Sequence, residues 1–360
     1  MMSENPYQLL AERLDRLPNG FPPTEDGVEL RLLARLFTPE EAWLAAQLRL
    51  SLETPEQIAA RLCGEPPTGL REQLKSMARR GLIRAERFEG GIGFGLMPFV
   101  VGIYEMQVGR LDAEFAQLFE DYYHSAFGQM LNLRPSVHRI IPVGESVRVD
   151  MEIHPYESVA EILAGAQAWG VMDCICRKQK ALIGEPCDHP VDVCMALSHR
   201  PGAFDQSSTI RALSRDQAIE TLHRAAQAGL VHSVSNSQSG VGYICNCCTC
   251  SCGVLRGIAE LGAANVVARS AFLNQVAEDL CVGCDLCIEF CQFGALTLDG
   301  IVHVDDTRCV GCGVCVSSCP EGALLLVRRP PREVEAPPAD ESAWRLARAE
   351  ARGLDLNSVL

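Results

Sequence analysis

Two stretches of this chain repeat a single cysteine spacing. Residues 281–291 read C-x2-C-x2-C-x3-C, and residues 309–319 read the same, followed by Pro320. No other feature limits the fold as strongly, because thiols at this density need a chemical partner and not merely a packed core. They are not confined to these runs: the chain has 18 cysteines in 360 residues. Cys174, Cys176, Cys187 and Cys194 form a looser group. Cys245, Cys247, Cys248, Cys250 and Cys252 crowd into the stretch CNCCTCSC, and Cys63 stands alone. The opening MMSENPYQLLAERLDRLPNG carries charges where a secretory leader needs an apolar run. The most apolar window, residues 92–104, is too short to span a bilayer. The expectation is a cytoplasmic chain with no membrane span. Thiols there stay reduced, so their clustering points to metal or redox chemistry before disulfides.

The repeated run resembles the bacterial-type ferredoxin domain with two 4Fe-4S clusters, over residues 278–327. The resemblance implies that Cys281, Cys284 and Cys287 join Cys319 on one cluster, and that Cys309, Cys312 and Cys315 join Cys291 on the other. Small residues in each tight loop let backbone N–H groups reach the sulfurs. Between the runs, ALTLDGIVHVDD reads as strand, Asp299-Gly300 turn and strand, the hairpin that fold requires. One departure is visible: Gln292 follows Cys291, where the family usually has Pro. A pair of zinc sites is the rival reading, but zinc motifs seldom run through three such steps and then repeat. Two clusters in one small domain would form a one-electron relay.

The remaining clustered thiols are less legible. In an extended chain Cys245 and Cys247 point one way and Cys248, Cys250 and Cys252 the other, so no single cluster takes all five. Either each segment supports its own cluster, or the two segments face each other and share. Sharing of at least one further iron–sulfur cluster is the preferred reading; structural zinc and a redox-active thiol pair are the alternatives. The pattern CICR…CDHP…C with CNCC resembles larger multi-cluster ferredoxin-type proteins, a resemblance that brings no reaction with it. His189, between Asp188 and Pro190, reads as a turn residue before it reads as a ligand. Arg177, Lys178 and Lys180 read either as a counter-charge to a cluster or as a solvated face. Phe290 and Phe293 read as a shield for cluster sulfur or as plain core.

The expected organisation is α+β and multidomain. Residues 27–95 read as four helices and a hairpin, with Thr38-Pro-Glu-Glu41 and Thr54-Pro-Glu-Gln57 as helix starts. This order resembles a winged helix-turn-helix domain, assigned to residues 1–95. Arg71, Lys75, Arg79, Arg80, Arg84 and Arg87 would be its phosphate contacts if it bound DNA; the acidic surroundings favour a protein-contact module. Residues 96–270 read as a long amphipathic helical run and then an α/β domain: strands over 137–153, a helix from Ser158 to Trp169, another capped by Ser214, and a strand after Gly229. Residues 271–327 form the ferredoxin-type domain. Residues 328–360 form a Pro-rich linker and a helix docked through Trp344 and Leu346.

Net charge is −14, and residues 271–327 carry eight Asp/Glu against Arg308 alone. That argues against nucleic acid there and favours partners with basic docking surfaces. The resulting expectation is an electron-transfer protein, a subunit or dedicated donor or acceptor of a larger oxidoreductase, more than a stand-alone enzyme. A cluster-controlled DNA-binding regulator and an enzyme with an open iron site in the middle domain are the alternatives.

Overall fold

The computed structural model describes residues 5–62, 68–88, 91–147, 151, 153–260 and 266–360. Cys63, most of the expected turn at residues 89–91, and Val149 of the expected strands lie outside the described residues. The chain divides into two compact units.

The first unit comprises Met1–Met130, Gln179–Glu185 and Arg345–Leu360. Five helices, α1 (Pro6–Asp15), α2 (Val28–Leu36), α3 (Pro39–Ala46), α4 (Pro55–Arg61) and α5 (Leu70–Arg79), precede an antiparallel hairpin, β1 (Arg84–Phe88) and β2 (Gly91–Gly95). Both expected helix starts are reciprocal caps. Thr38 accepts from the Glu41 amide while Glu41 accepts from the Thr38 amide, and Thr54 and Gln57 do the same. Helix α5 buries Leu70, Leu74 and Met77. The long amphipathic run is shorter than its periodicity suggests. Helix α6 (Ala113–Tyr122), capped by Asp112, gives way to a π turn at Tyr123–Phe127 and a single turn, α7 (Gly128–Met130). Its apolar face closes on aromatic rings, with Tyr104 stacked on Phe119 at 3.8 Å between centroids.

The second unit comprises Leu131–Lys178 and Pro186–Trp344. It is built on a seven-stranded sheet of order β6-β4-β5-β8-β7-β3-β9. The strands are β3 (His138–Ile141), β4 (Ala168–Met172), β5 (Cys194–Ser198), β6 (Arg211–Leu213), β7 (Val231–Ser235), β8 (Tyr243–Cys247) and β9 (Val267–Ala268). All neighbours are antiparallel except β3 and β9. Helices α8 (Val159–Ala164) and α10 (Arg215–Gln227) contribute Leu163, Ala218 and Leu222 to a core shared with Ile141, Met195, Leu197, Val234 and Ile244. Helix α9 (Ile175–Leu182) follows β4, and the five-residue α11 (Arg256–Glu260) precedes β9. Two local expectations are corrected. Among the described residues of 137–153 only β3 is a strand, and the chain turns at Gly144–Ser146. The helix from Ser158 stops at Ala164, and Trp169 lies in β4, where its indole donates to the Leu163 carbonyl at 3.1 Å.

The same unit continues into a smaller α+β segment. Strand β10 (Phe272–Val276) pairs with β13 (Leu324–Arg328), and β11 (Leu296–Asp299) with β12 (Ile301–Val304). One-turn helices α12 (Leu286–Glu289) and α13 (Val314–Ser317) carry the ends of the cysteine loops. The last helix, α14 (Glu341–Ala351), buries Trp344, whose Nε1 donates to the Ser136 carbonyl at 2.9 Å. Leu346 is 59% exposed and does not dock; in the first unit Arg348, fully buried, donates to the Met130 carbonyl at 2.7 Å instead. Among the described residues no helix is long and apolar enough to cross a membrane.

One side chain of strand β8 adds to its backbone pairing with β5 and β7. Asn246 is fully buried; its Nδ2 donates to the Val193 carbonyl at 2.6 Å and its Oδ1 accepts from His232 Nδ1 at 2.5 Å. The Asn246→Ala variant strands two buried polar groups, at about 1–3 kcal/mol each. Urea unfolding of the anaerobically prepared protein should show a loss of about 2–4 kcal/mol; a change within error would contradict this role.

Candidate metal centres

The repeated runs build the same loop twice. Cys281-Val-Gly283-Cys284-Asp285-Leu-Cys287 and Cys309-Val-Gly311-Cys312-Gly313-Val-Cys315 both turn at their third and fifth residues, where φ is positive, including Asp285 at +61°. The third position admits no side chain. A Cβ on Gly283 would sit 2.4 Å from the Gly300 carbonyl oxygen, and one on Gly311 would sit 2.1 Å from the Phe272 carbonyl oxygen. Each loop ends in a one-turn helix that carries its third thiol inward, so that Cys287 and Cys315 are the buried members.

These loops bring the thiols together across the repeat. Cys287 has Cys319, Cys284 and Cys281 as thiol neighbours. Cys315 has Cys312, Cys291 and Cys309, and then Cys287 of the other set. Cys287 and Cys315, one from each of the sets that the ferredoxin resemblance implies, adjoin. Hydrogen bonds to sulfur follow the repeat as well. The Ala295 amide donates to Cys291 Sγ at 3.2 Å, and the Ala323 amide to Cys319 Sγ at 3.3 Å. Asn274 Nδ2 donates to Cys315 Sγ at 3.2 Å. Donors aimed at sulfur suit a thiolate. Burial alone opposes one: it pushes the Cys287 thiol up to about 11 and the Cys312 thiol up to about 12. A bound cation reverses that preference, so the donor set and its surroundings fit cluster ligation.

The other nine thiols among the described residues divide into two groups. The inner group is a string of contacts: Cys194 to Cys174, Cys174 to Cys176, Cys176 to Cys252, Cys252 to Cys247 and Cys247 to Cys245. The sheet explains its assembly. Antiparallel pairing sets Met172 opposite Cys194, so Cys174 just beyond β4 lies near the start of β5. Cys245 and Cys247 share one face of β8, while Asn246 points to the other. Hydrogen bonds from Cys176 and Cys194 hold the Cys174 thiol well below its usual range, and the same contacts push Cys176 and Cys194 well above theirs. Six such thiols cannot all ionise without a cation.

The outer group is Cys187, His189, Cys248 and Cys250. Burial opposes ionisation of Cys248, but a hydrogen bond from His189 and the charge of Arg177 bring it down to about 6. Arg177 lies between the two groups. Its guanidinium is buried and donates to the Asn246 carbonyl at 2.8 Å and the Pro190 carbonyl at 3.0 Å. Burial works against its charge, yet Cys174, Cys248, Cys247 and Cys194 hold it protonated. It is a counter-charge and not a solvated residue. Lys180 belongs to the first unit, where it is buried against Glu120 at 3.2 Å, and Lys178 pairs at the surface with Asp173 at 3.1 Å.

The sequence reading differs from this picture in three respects. Cys252 joins Cys245 and Cys247 instead of Cys248 and Cys250, because the chain folds back after β8, where the Cys252 amide donates to the Cys248 carbonyl at 3.1 Å. His189 sits among thiols and not in a bare turn; the matching pairs Cys187-x-His189 and Cys248-x-Cys250 were the available signal. Gln292 has a function in the packing. Its Oε1 accepts from the Thr249 amide at 3.0 Å and the Thr249 hydroxyl at 2.9 Å, and its Nε2 donates to the Gly229 carbonyl at 3.1 Å. A proline there could make none of these bonds. Phe293 is buried, and the half-buried Phe290 lies over Gly229.

Residues 280–323 match the family of the 4Fe-4S dicluster domain. The matched segment contains all eight thiols of the two loops. Comparison of the whole chain with curated proteins and with solved structures gave no match. The segment therefore supports an iron–sulfur protein with ferredoxin-like character.

Gly311→Ala should lose the iron of the second loop, about four atoms per chain, since its Cβ would collide with backbone. Gly322→Ala, also at positive φ but with nothing within 4 Å of the added carbon, should keep it. Equal iron in both variants would contradict the steric account.

Proposed function

We propose that this protein is a multi-cluster electron carrier, serving as a subunit or dedicated donor or acceptor of a larger oxidoreductase. The observation that carries the reading is the pair of interlaced four-thiol sets within the matched dicluster segment. A bound 4Fe-4S cluster takes up and releases one electron at a time. The residues set the route. Cys284 is exposed at the first loop, while Cys287 and Cys315 adjoin in the interior. Beyond the second set, Gln292 follows Cys291 and grips Thr249 of the CNCCTCSC segment. The inner six-thiol group is assigned a further iron–sulfur cluster, with Arg177 offsetting its charge.

The face around the first loop supports exchange with a protein partner. Val282 is 67% exposed, and Leu280, Leu286 and Leu298 stand exposed beside it. Glu278, Asp279, Asp285 and Glu289, all exposed, lie in the same stretch of chain as Leu280, Val282 and Leu286. Exposed apolar and acidic side chains around the first loop fit a partner whose docking surface is basic. The first unit, with the helix and hairpin order of a winged helix, is read as a protein-contact module. Four of its six candidate phosphate-binding cations are already paired: Arg71 with Glu56 at 2.7 Å, Lys75 with Glu72 at 2.8 Å, Arg80 with Glu41 at 2.6 Å and Arg84 with Glu86 at 2.5 Å.

Electron delivery from the reduced protein to a basic acceptor such as cytochrome c should slow about tenfold or more as salt rises from 10 to 300 mM, by roughly this factor for steered association. Charge reversal at Glu278, Asp279 and Glu289 together should slow it similarly at low salt. A rate indifferent to both would contradict docking at this face.

A further inference from the structure

The outer group differs from every other thiol cluster in its spacing. The donor atoms of Cys187, His189, Cys248 and Cys250 all lie within 4.8 Å of one another. Cys250 Sγ is 3.8 Å from His189 Nδ1. Contacts of His189 with Cys187 and Cys248, and of Cys250 with Cys187 and Cys248, close the figure. A tetrahedral zinc ion with metal–sulfur bonds of about 2.3 Å needs donors along edges of roughly 3.8 Å. A cubane holds its thiolates at the outer corners of an eight-atom cage and spreads them further. The molecule supplies its own comparison: among the described residues, no three of the eight dicluster thiols, and no three of the inner six, draw within that limit.

We propose that Cys187, His189, Cys248 and Cys250 form a structural zinc site, separate from the iron–sulfur centres. Three soft thiolates and one imidazole are a donor set that zinc favours. All four positions come from the chain, which leaves no open position and makes the site structural instead of catalytic. Two loops are joined by it: the turn carrying residues 187–189 before β5, and residues 248–250 after β8. Ser251 Oγ donates to Cys187 Sγ at 3.4 Å and supports that join from beneath. With two thiolates neutralising the ion, the third leaves one net negative charge, and the buried guanidinium of Arg177 stands next to it. Thr249 lies between two of the ligands and is the residue that Gln292 grips. The zinc therefore fixes the strap that fastens the seven-stranded sheet to the turn after Cys291.

The full chain, purified without air from zinc-replete cells, tests this by elemental analysis and zinc K-edge X-ray absorption. The expected result is one zinc per chain, with three sulfur neighbours at about 2.3 Å and one nitrogen at about 2.0 Å. His189→Ala and Cys250→Ser should each lose that zinc with the iron content unchanged, and His189→Cys should keep it with four sulfur neighbours. Should the truncations fail to fold, the wild-type spectrum still decides. Absence of zinc, a zinc environment without three sulfurs, zinc retained in both truncations, or iron lost in place of zinc would each overturn the proposal.

Discussion

The structure of the second unit depends on one electrostatic conflict. Seventeen thiols lie within residues 174–319, many of them buried, and a buried thiolate is expensive unless a cation or several hydrogen-bond donors face it. The loops reduce that cost with backbone amides and the Asn274 amide aimed at sulfur, and the sheet reduces it with the buried guanidinium of Arg177. These measures are partial. Burial still pushes Cys287 and Cys312 upward, and the inner thiols ionise at one another's expense. Bound metal would resolve the conflict in each group, and much of the folding free energy of such a unit is then expected to be metal-binding free energy.

The connection between the sheet and the ferredoxin-type segment follows from a few polar contacts. Gln292 replaces the proline usual after the fourth cysteine of a run and bonds to both Thr249 and Gly229. On the other loop, the Val143 amide donates to the Cys312 carbonyl at 2.9 Å, and Arg329 donates to the Cys309 carbonyl at 2.6 Å. Both cysteine loops are thus held by residues outside the repeat. Gln292 and Val143 thereby hold the dicluster segment to the cysteine-bearing sheet within one compact unit, while Arg329 ties the second loop to β10.

The loops were legible in the sequence because their chemistry is local. Spacing, small residues at the turns and the Asp299-Gly300 hairpin are all short-range signals, and capping boxes at Thr38 and Thr54 are equally local. The sheet was not legible in the same way. Its order depends on long-range pairing, and β4 and β5 meet only because Trp169 takes a strand conformation where helical propensity was read. The division of CNCCTCSC into two groups was hidden for the same reason: a fold-back at Cys252 breaks the alternation that an extended chain would show. In the sequence His189 reads as a turn residue and Arg177 as either counter-charge or solvated face, because the thiols that surround them are brought there by strands distant in sequence. Leu346 looked like an anchor because its helix is amphipathic, but Trp344 and Arg348 are the residues buried there.

All of this requires that the two interlaced thiol sets near the carboxyl end hold inorganic clusters. Iron and acid-labile sulfide, counted on protein purified without air, test it most directly. At least about eight of each per chain are expected, and about twelve if the inner thiols are also filled. Colourless protein, or protein whose thiols hold zinc alone, would contradict it.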